Sequence, residues 1–516
     1  MNSDQLVEET EIHFLQNLLQ IVLENENESQ PVYLFLLSNL EKLNEGLIEI
    51  FISWRTAILS KVEKNHAFAI SAALVNLGNL LRSFPYGDSA INLEIAITAC
   101  ESALTILTRD AFPDYWATTQ NILGVIYRLR LRGDRAQNIE HSIQFFQREL
   151  QIHTRADFPT RWAEAQNGLG NTYNDRIKGD RADDVEQSIR SFQCALQVRT
   201  REAFPTNWAT TQNNLGIAYY SRLKGKRVEN LEVAIACYKS ALQVRTRQEM
   251  PVQWAETLNN LANAYSERIK GDRAENMEQA LAALHSILQV YTPGDFPQDW
   301  AMIQNNLGET YRDHVMGDRM ENLNLAIAAY ESALRVYTFE NFPVQWAIIQ
   351  NNLGIAYYSQ VPDPSAESLE LAIASFARAL QVRTKEDLPQ QWAETQNNLG
   401  NAYSDRTEGN RSQNLAKAII AYRAALQVHT RKTFPIEWAK TQNNLALAYR
   451  DSQKLVDAIA CFQAALQIYT PTAFPFECLI AGRNLGKSAY AISDWSQSLA
   501  GFELAIHAAE QSRALG

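Results

Sequence analysis

Apolar side chains recur along most of this chain at the three-and-four spacing of one helix face. Leu231, Ala234, Ile235, Tyr238, Ala241, Leu242 and Val244 form one such stripe, which predicts a helix buried along one side. Asn230 is a good N-cap for it, Glu232 sits where the helix dipole favours an anion, and the helix is expected to end near Thr246. Before it stands the block FPTNWATTQNNLGIAY, Phe204 to Tyr219, which predicts a first helix from about Pro205 to Lys224. Proline suits a helix start because its missing N–H had no intrahelical partner there. Gly225 is the expected stop.

The block returns. Trp116, Trp162, Trp208, Trp254, Trp300, Trp346, Trp392 and Trp438 are each 46 residues from the next. A fixed period of this length marks a solenoid, whose unit buries its apolar face only against its neighbours. The glycine-equivalent positions Gly78, Gly124, Gly170, Gly216, Ala262, Gly308, Gly354, Gly400, Ala446 and Gly486 give ten repeats. A prior of three or four domains of roughly 150 residues therefore gives way to one continuous array from residue 66 to 516.

Within a unit the order Leu215, Gly216, Tyr219, Ala234, Tyr238, Ala241 resembles the tetratricopeptide repeat, a pair of antiparallel helices packed through small residues. That repeat is ordinarily 34 residues long. Gly216 to Ala234 is 18 steps where the family pattern has twelve, and Ala241 to Ala262 is 21 where it has fifteen, so six residues are added in each turn. Ala446 to Ala458 and Gly486 to Ser498 are both twelve, which shows the GDR-type segment missing from the last two units. The NNL step is similar to kinesin-light-chain-type repeats. The long unit also resembles cyanobacterial tetratricopeptide arrays, some of which carry a C-terminal CHAT protease domain, for which this chain has no residues left. The resemblance implies an all-α, right-handed superhelical solenoid of about ten helix-turn-helix repeats. Such a stack should have a radius of gyration well above the roughly 24 Å of a compact globule of this length.

Residues 1–65 carry none of the signature yet predict helices, one from about Asp4 to Leu23, one from Pro31, and a third marked by Leu47, Ile50, Phe51, Trp54 and Ile58. An N-terminal helical cap is the expectation, because a solenoid end must hide its stacking face. The first repeat, about His66 to Thr108, is degenerate, with Ile70 at the tryptophan position. The unit of Trp346 replaces the glycine turn with VPDPSAES, where Pro362 and Pro364 rule out a continued helix. Drift in a surface turn and a change of superhelical pitch both fit. The last helix carries Ala500, Leu504 and Ala508 beside Glu503, His507, Glu510 and Arg513, so the terminal face either caps itself or docks another chain, including by self-association.

Charge narrows the function. A net charge of −11 and a pI near 5.4 argue against a general nucleic-acid binder, which needs a basic face. No apolar run approaches the roughly 18 residues of a membrane span, and the N-terminus is acidic where a secretory signal is basic. A cytoplasmic protein without membrane contact is expected. Cys100, Cys194, Cys237, Cys461 and Cys478 show no CxxC pairing and read as small buried hydrophobes. No metal, cofactor or enzyme activity is expected, since no nucleophile, base and orienting group stand together. The stretch Gly482 to Ser488 is one residue short of a phosphate loop and falls on the repeat's own Leu-Gly step.

The strongest candidate site is polar. Asparagine recurs in mid-helix as two adjacent columns, Asn213 and Asn214, Asn259 and Asn260, Asn305 and Asn306, Asn351 and Asn352, Asn397 and Asn398, Asn443 and Asn444. A third column one turn on varies: Val125, Asn171, Ile217, Asn263, Glu309, Ile355, Asn401, Leu447. Asparagine is a poor helix former, so its repetition calls for a reason. In tetratricopeptide proteins the first helices line a concave groove, and the resemblance implies that these asparagines, Asn171, Asn263 and Asn401 included, bind the backbone of a guest peptide or helix. One amide offers both donor and acceptor, so the columns equally suit bonds between neighbouring repeats. The resemblance thus implies a protein-interaction scaffold. The competing reading is a regulatory or targeting subunit of a separately encoded effector such as a CHAT-type protease. The tryptophans are expected to wedge between repeats. Arg135, Arg181, Arg227, Arg273, Arg319 and Arg411 fit a basic ridge along the turns, though solvated pairing with nearby Asp and Glu is the commoner fate, and the turns are expected to tolerate deletion.

Overall fold

The first helix of each hairpin begins at the proline of the FP pair, and the second begins at the arginine of the glycine turn. Pro205–Tyr220 with Arg227–Leu242 is the type unit. The structure, a computed structural model, describes residues 3–25, 28–55, 63–360 and 366–514. Among them are 23 α-helices and no strand. Three α-helices, Ser3–Glu24, Ser29–Leu37 and Glu45–Trp54, precede ten first and ten second helices. Pro31 lies in the first turn of its helix rather than at its first residue, where a missing N–H is equally harmless. The Pro362 and Pro364 turn and Ile58 lie outside the described residues.

The chain divides into two compact units, Met1–Lys270 and Gly271–Gly516. The first holds the N-terminal helices, four complete hairpins and the helix Pro251–Ser266; the second opens with Arg273–Ile287 and holds five hairpins. In the first unit Leu15, Leu18, Val22, Leu47 and Phe51 are buried in one core with Leu74, Leu77 and Ile97, so the N-terminal helices cover the first hairpin.

Most hairpins close on a glycine, with Ala262 and Ala446 in its place in two repeats. A Cβ on Gly216 would lie 2.5 Å from the Tyr238 ring, and one on Gly308 2.5 Å from Tyr330, so the aromatic of the second helix packs directly on the backbone of the first. The phosphate-loop look-alike is the same device. Gly482 lies inside the helix Pro475–Ala491, where a Cβ would meet the Gly501 carbonyl oxygen at 2.9 Å.

The turns correct the sequence reading. The first helix ends at Tyr220, four residues before Lys224. Arg227 donates to the Tyr220 carbonyl, one of the last-turn acceptors that lack an intrahelical partner. Arg135, Arg181, Arg319 and Arg411 do the same for Arg128, Asn174, Arg312 and Ser404. These arginines are therefore helix stoppers as well as surface charges, and Arg227 and Arg411 also pair with Glu267 and Asp451, the solvated pairing expected of them. Gly225 turns the chain at φ +78°, and the second helix opens at Arg227 rather than Asn230.

The N-cap is the residue before the arginine. Asp134, Asp180, Asp272, Asp318 and Asn410 each accept from the backbone N–H three residues on, at 2.7 to 3.0 Å. Asn230 lies one turn inside and buried, its Nδ2 donating to the carbonyl of Lys224 at 2.9 Å to hold the loop shut. Lys226 occupies the cap position of its turn and caps nothing. Lys226→Asp should therefore stabilise the protein by about 1 kcal/mol. Chemical denaturation of the full chain reads this, and an unchanged midpoint would refute the cap assignment.

A second contact makes the turns structural. Arg222 leaves the first helix and grips Glu186 of the preceding hairpin with both arms of the guanidinium, at 2.7 and 3.1 Å. In the first unit Arg130 holds Glu94, Arg176 holds Glu140 and Arg268 holds Glu232; in the second Arg406 holds Glu370. Two further rungs of the second unit differ. His314 Nε2 lies 3.0 Å from Glu278 Oε1, and Gln360 Nε2 donates to Asn324 Oδ1 at 3.3 Å. Planar, bidentate pairing of this kind fixes distance and angle together, so the inserted turn is a clasp between repeats rather than an expendable loop.

Candidate functional site

Consecutive first helices pack on one another within each unit, more closely than consecutive second helices do. The asparagine columns lie along that seam. In the first unit Asn214 Nδ2 donates to Asn171 Oδ1 of the preceding repeat at 3.0 Å, and Asn260 Nδ2 to Asn213 Oδ1 at 3.2 Å. In the second, Asn352 Nδ2 reaches Asn305 Oδ1 at 3.2 Å and Glu309 Oε1 at 2.9 Å; Asn398 Nδ2 reaches Asn351 Oδ1 at 3.5 Å; Asn444 Nδ2 reaches Asn397 Oδ1 at 3.3 Å and Asn401 Oδ1 at 3.0 Å. Threonines join the ladder, Thr211 donating to Asn167 and Thr395 to Asn351.

Each rung thus runs from one repeat to the previous one. Asn213, Asn259, Asn351, Asn352 and Asn397 are buried; Asn214, Asn260, Asn305, Asn306, Asn398, Asn443 and Asn444 are half-buried, as are Asn171, Asn263 and Asn401. The varied third column has a physical order. Where it is polar, at Asn171, Glu309 and Asn401, it accepts a rung. Where it is Ile217 or Ile355, the next repeat's asparagine still bonds Asn213 or Asn351, the same column that Asn352 and Asn444 reach at Asn305 and Asn397. The ladder is unfinished at Asn443, whose Oδ1 is buried with no hydrogen-bond partner.

A column that the sequence reading passed over is partly open to solvent. Two residues after each tryptophan stand Thr118, Glu164, Thr210 and Glu256 in the first unit, and Met302, Ile348, Glu394 and Lys440 in the second. Glu164, Glu256, Met302, Ile348 and Lys440 are exposed and the others half-buried. The signal was available: after the constant Trp-Ala pair this position changes most from unit to unit. The tryptophans themselves are half-buried. Trp300 packs on the cluster of Ala326, Tyr330 and Ile349, which spans its own hairpin and the next first helix.

One buried polar cluster interrupts the first unit. The second-helix position that is a fully buried alanine at Ala195 and Ala241 is Glu149. Its carboxylate accepts from Asn121 Nδ2 at 2.8 Å and lies 3.1 Å from His153 Nδ1, while His153 Nε2 lies 2.9 Å from Asp114. Burial pushes the Glu149 carboxyl up to about 7, against the opposing pull of His153 and Asn121. The five cysteines are free thiols, and burial raises Cys100 to about 12, far from a reactive thiolate. Among the described residues no group of three His, Cys, Asp or Glu side chains could hold a metal ion, and no helix is long and apolar enough to cross a membrane.

Comparison with known proteins places this geometry. The model of the tetratricopeptide-repeat family matches residues 254–288 and 438–470. No curated protein matches the chain. Among solved structures, the Signal Transduction ATPase with Numerous Domains protein with a tetratricopeptide repeat sensor from Pyrococcus horikoshii superposes with a TM-score of 0.50 at 13% identity, covering 92% of this chain and 72% of its own. Cut9–Hcn1 of the APC/C gives 0.39 at 14% identity, covering 94% and 99%. The human IFIT1 dimer with m7Gppp-AAAA gives 0.43 at 13%, covering 90% and 95%. The two matched segments lie within the recurring hairpins, and the array around them is built from paired helices of the tetratricopeptide-repeat type.

Proposed function

We propose that this protein is an interaction scaffold whose first helices hold a peptide or helix of a partner protein. The observation that carries the reading is the division of labour along that seam. The constant asparagines bond repeat to repeat and set the spacing of the wall. The residue two after each tryptophan changes and is exposed in five of the eight units, with Glu164 and Glu256 in the first unit and Met302, Ile348 and Lys440 in the second. Half-buried Asn214, Asn398 and Asn444 retain unused lone pairs with which a guest backbone can pair. Area alone does not set affinity, and a few anchors carry most of it, so the apolar pair Met302 and Ile348 of the second unit is the expected anchor.

Selection of peptides from a random displayed library against the full chain tests this. Enriched sequences should carry a large apolar residue and should lose binding to Met302→Glu/Ile348→Glu, a variant expected to melt with the parent because both side chains are exposed. Peptides that bind the variant as well as the parent would remove this surface from the site.

A further inference from the structure

The outer face of the last hairpin, Pro475–Ala491 with Trp495–Ala514, is unlike the face of any repeat before it in the second unit. Leu499 stands where Ile373, Ile419 and Ile459 stand in earlier second helices. Those are 8%, 8% and 5% exposed because the following first helix covers them, whereas Leu499 is 61% exposed. Ile506, Trp495 and Tyr490 are each 61% exposed as well, and the Tyr490 and Trp495 rings meet edge to face at 5.3 Å, joining the two helices into one apolar strip. Strips of this kind on a protein surface mark an interface.

Its charges say what kind. Arg483 and Lys487 take the places that Asn397 and Asn401 hold in the eighth repeat, so the amide acceptors that would receive another rung of the ladder are replaced by cations. On the neighbouring helix Glu503 and Glu510 lie in the same stripe as Leu499 and Ile506, at helical spacing. All four charges are exposed, and none forms an ion pair with a described residue. One face therefore carries an apolar strip, a basic helix and an acidic helix.

We propose that this face pairs with the same face of a second copy, about a two-fold axis. Such pairing sets the basic helix of each copy against the acidic helix of the other and buries the strip between them. It continues onto a second chain the side-by-side helix packing that covers Ile419 and Ile459 within one chain. A two-fold contact closes after two subunits. The opposite mode, stacking on another copy's first hairpin, is blocked by the N-terminal helices that cover that hairpin.

Light scattering of the full chain over a concentration series tests the pairing. The parent should be a dimer, and Leu499→Glu/Ile506→Glu should raise the dissociation constant by about thirtyfold or more, the loss expected when interface anchors are removed. Lys487→Glu should also weaken the dimer, and adding Glu503→Lys in the same chain should restore it. These two sites are solvent-exposed, so the charge pair tests the contact even if the double glutamate variant folds poorly. A parent that stays monomeric at the highest concentration reached, or a dimer indifferent to both sets of changes, overturns the proposal.

Discussion

Asn352→Ala combined with Asn398→Ala should destabilise the second unit by on the order of 2 kcal/mol. Intrinsic helix preference points the other way, since alanine is favoured over asparagine by about 0.7 kcal/mol or less at each site. The ladder outweighs it. Asn352 supplies the N–H that satisfies both Asn305 and Glu309, and Asn398 supplies one to Asn351. Removing these donors takes three hydrogen bonds out of a partly buried seam, each worth about 0.5–1.5 kcal/mol. Thermal or urea unfolding of the double variant beside each single one measures the effect. A double variant as stable as the parent would mean that the ladder does not tie the repeats.

Glu149→Gln should abolish a pH dependence and stabilise the second hairpin at alkaline pH. The Glu149 carboxyl titrates near 7 in the folded chain against an ordinary value of 4.5. Between those values the unfolded chain gives up its proton while the folded chain keeps it, so stability is greatest below 4.5, falls as pH rises and levels off above about 7. The glutamine keeps an acceptor for Asn121 and a donor for His153 without the charge. At pH 8 it should be more stable than the parent by roughly 3 kcal/mol, the free-energy equivalent of the shift; at pH 4.5 the two should agree. Repeat arrays need not unfold in one step, so hydrogen exchange within Arg135–Glu149 at several pH values is the suitable reading. Equal slopes for parent and variant would show that the carboxyl does not carry the linkage.

How much of this was legible in the residues depends on the kind of order. The tryptophan period gave the hairpin, the repeat and the glycine packed under Tyr238, because each recurs at one offset along the chain. Helix ends were misjudged by a turn. Asn230 and Lys226 are both polar and both precede an apolar stripe, and only the backbone reveals that the cap position falls before Arg227. The clasp between Arg222 and Glu186 was missed because its partners are 36 residues apart, an offset that comparing one repeat with the next does not sample. The asparagines were found but their partners were not. An amide that both donates and accepts serves a guest and a neighbour equally well, and only the folded chain shows that Asn214 reaches Asn171 of the preceding repeat.

The Gln360–Asn324 rung has an engineering consequence. Both ends of that clasp changed from charged to neutral, and the two ends belong to different repeats. A repeat cut from this array and inserted elsewhere would bring half of a matched pair, setting an arginine against an amide or a glutamate against a glutamine. The interchangeable cassette is therefore the 46 residues that start just after one clasp donor and end on the next, not the 46 from tryptophan to tryptophan, and chimeras joined at the tryptophans should assemble less well than chimeras joined within the glycine turns.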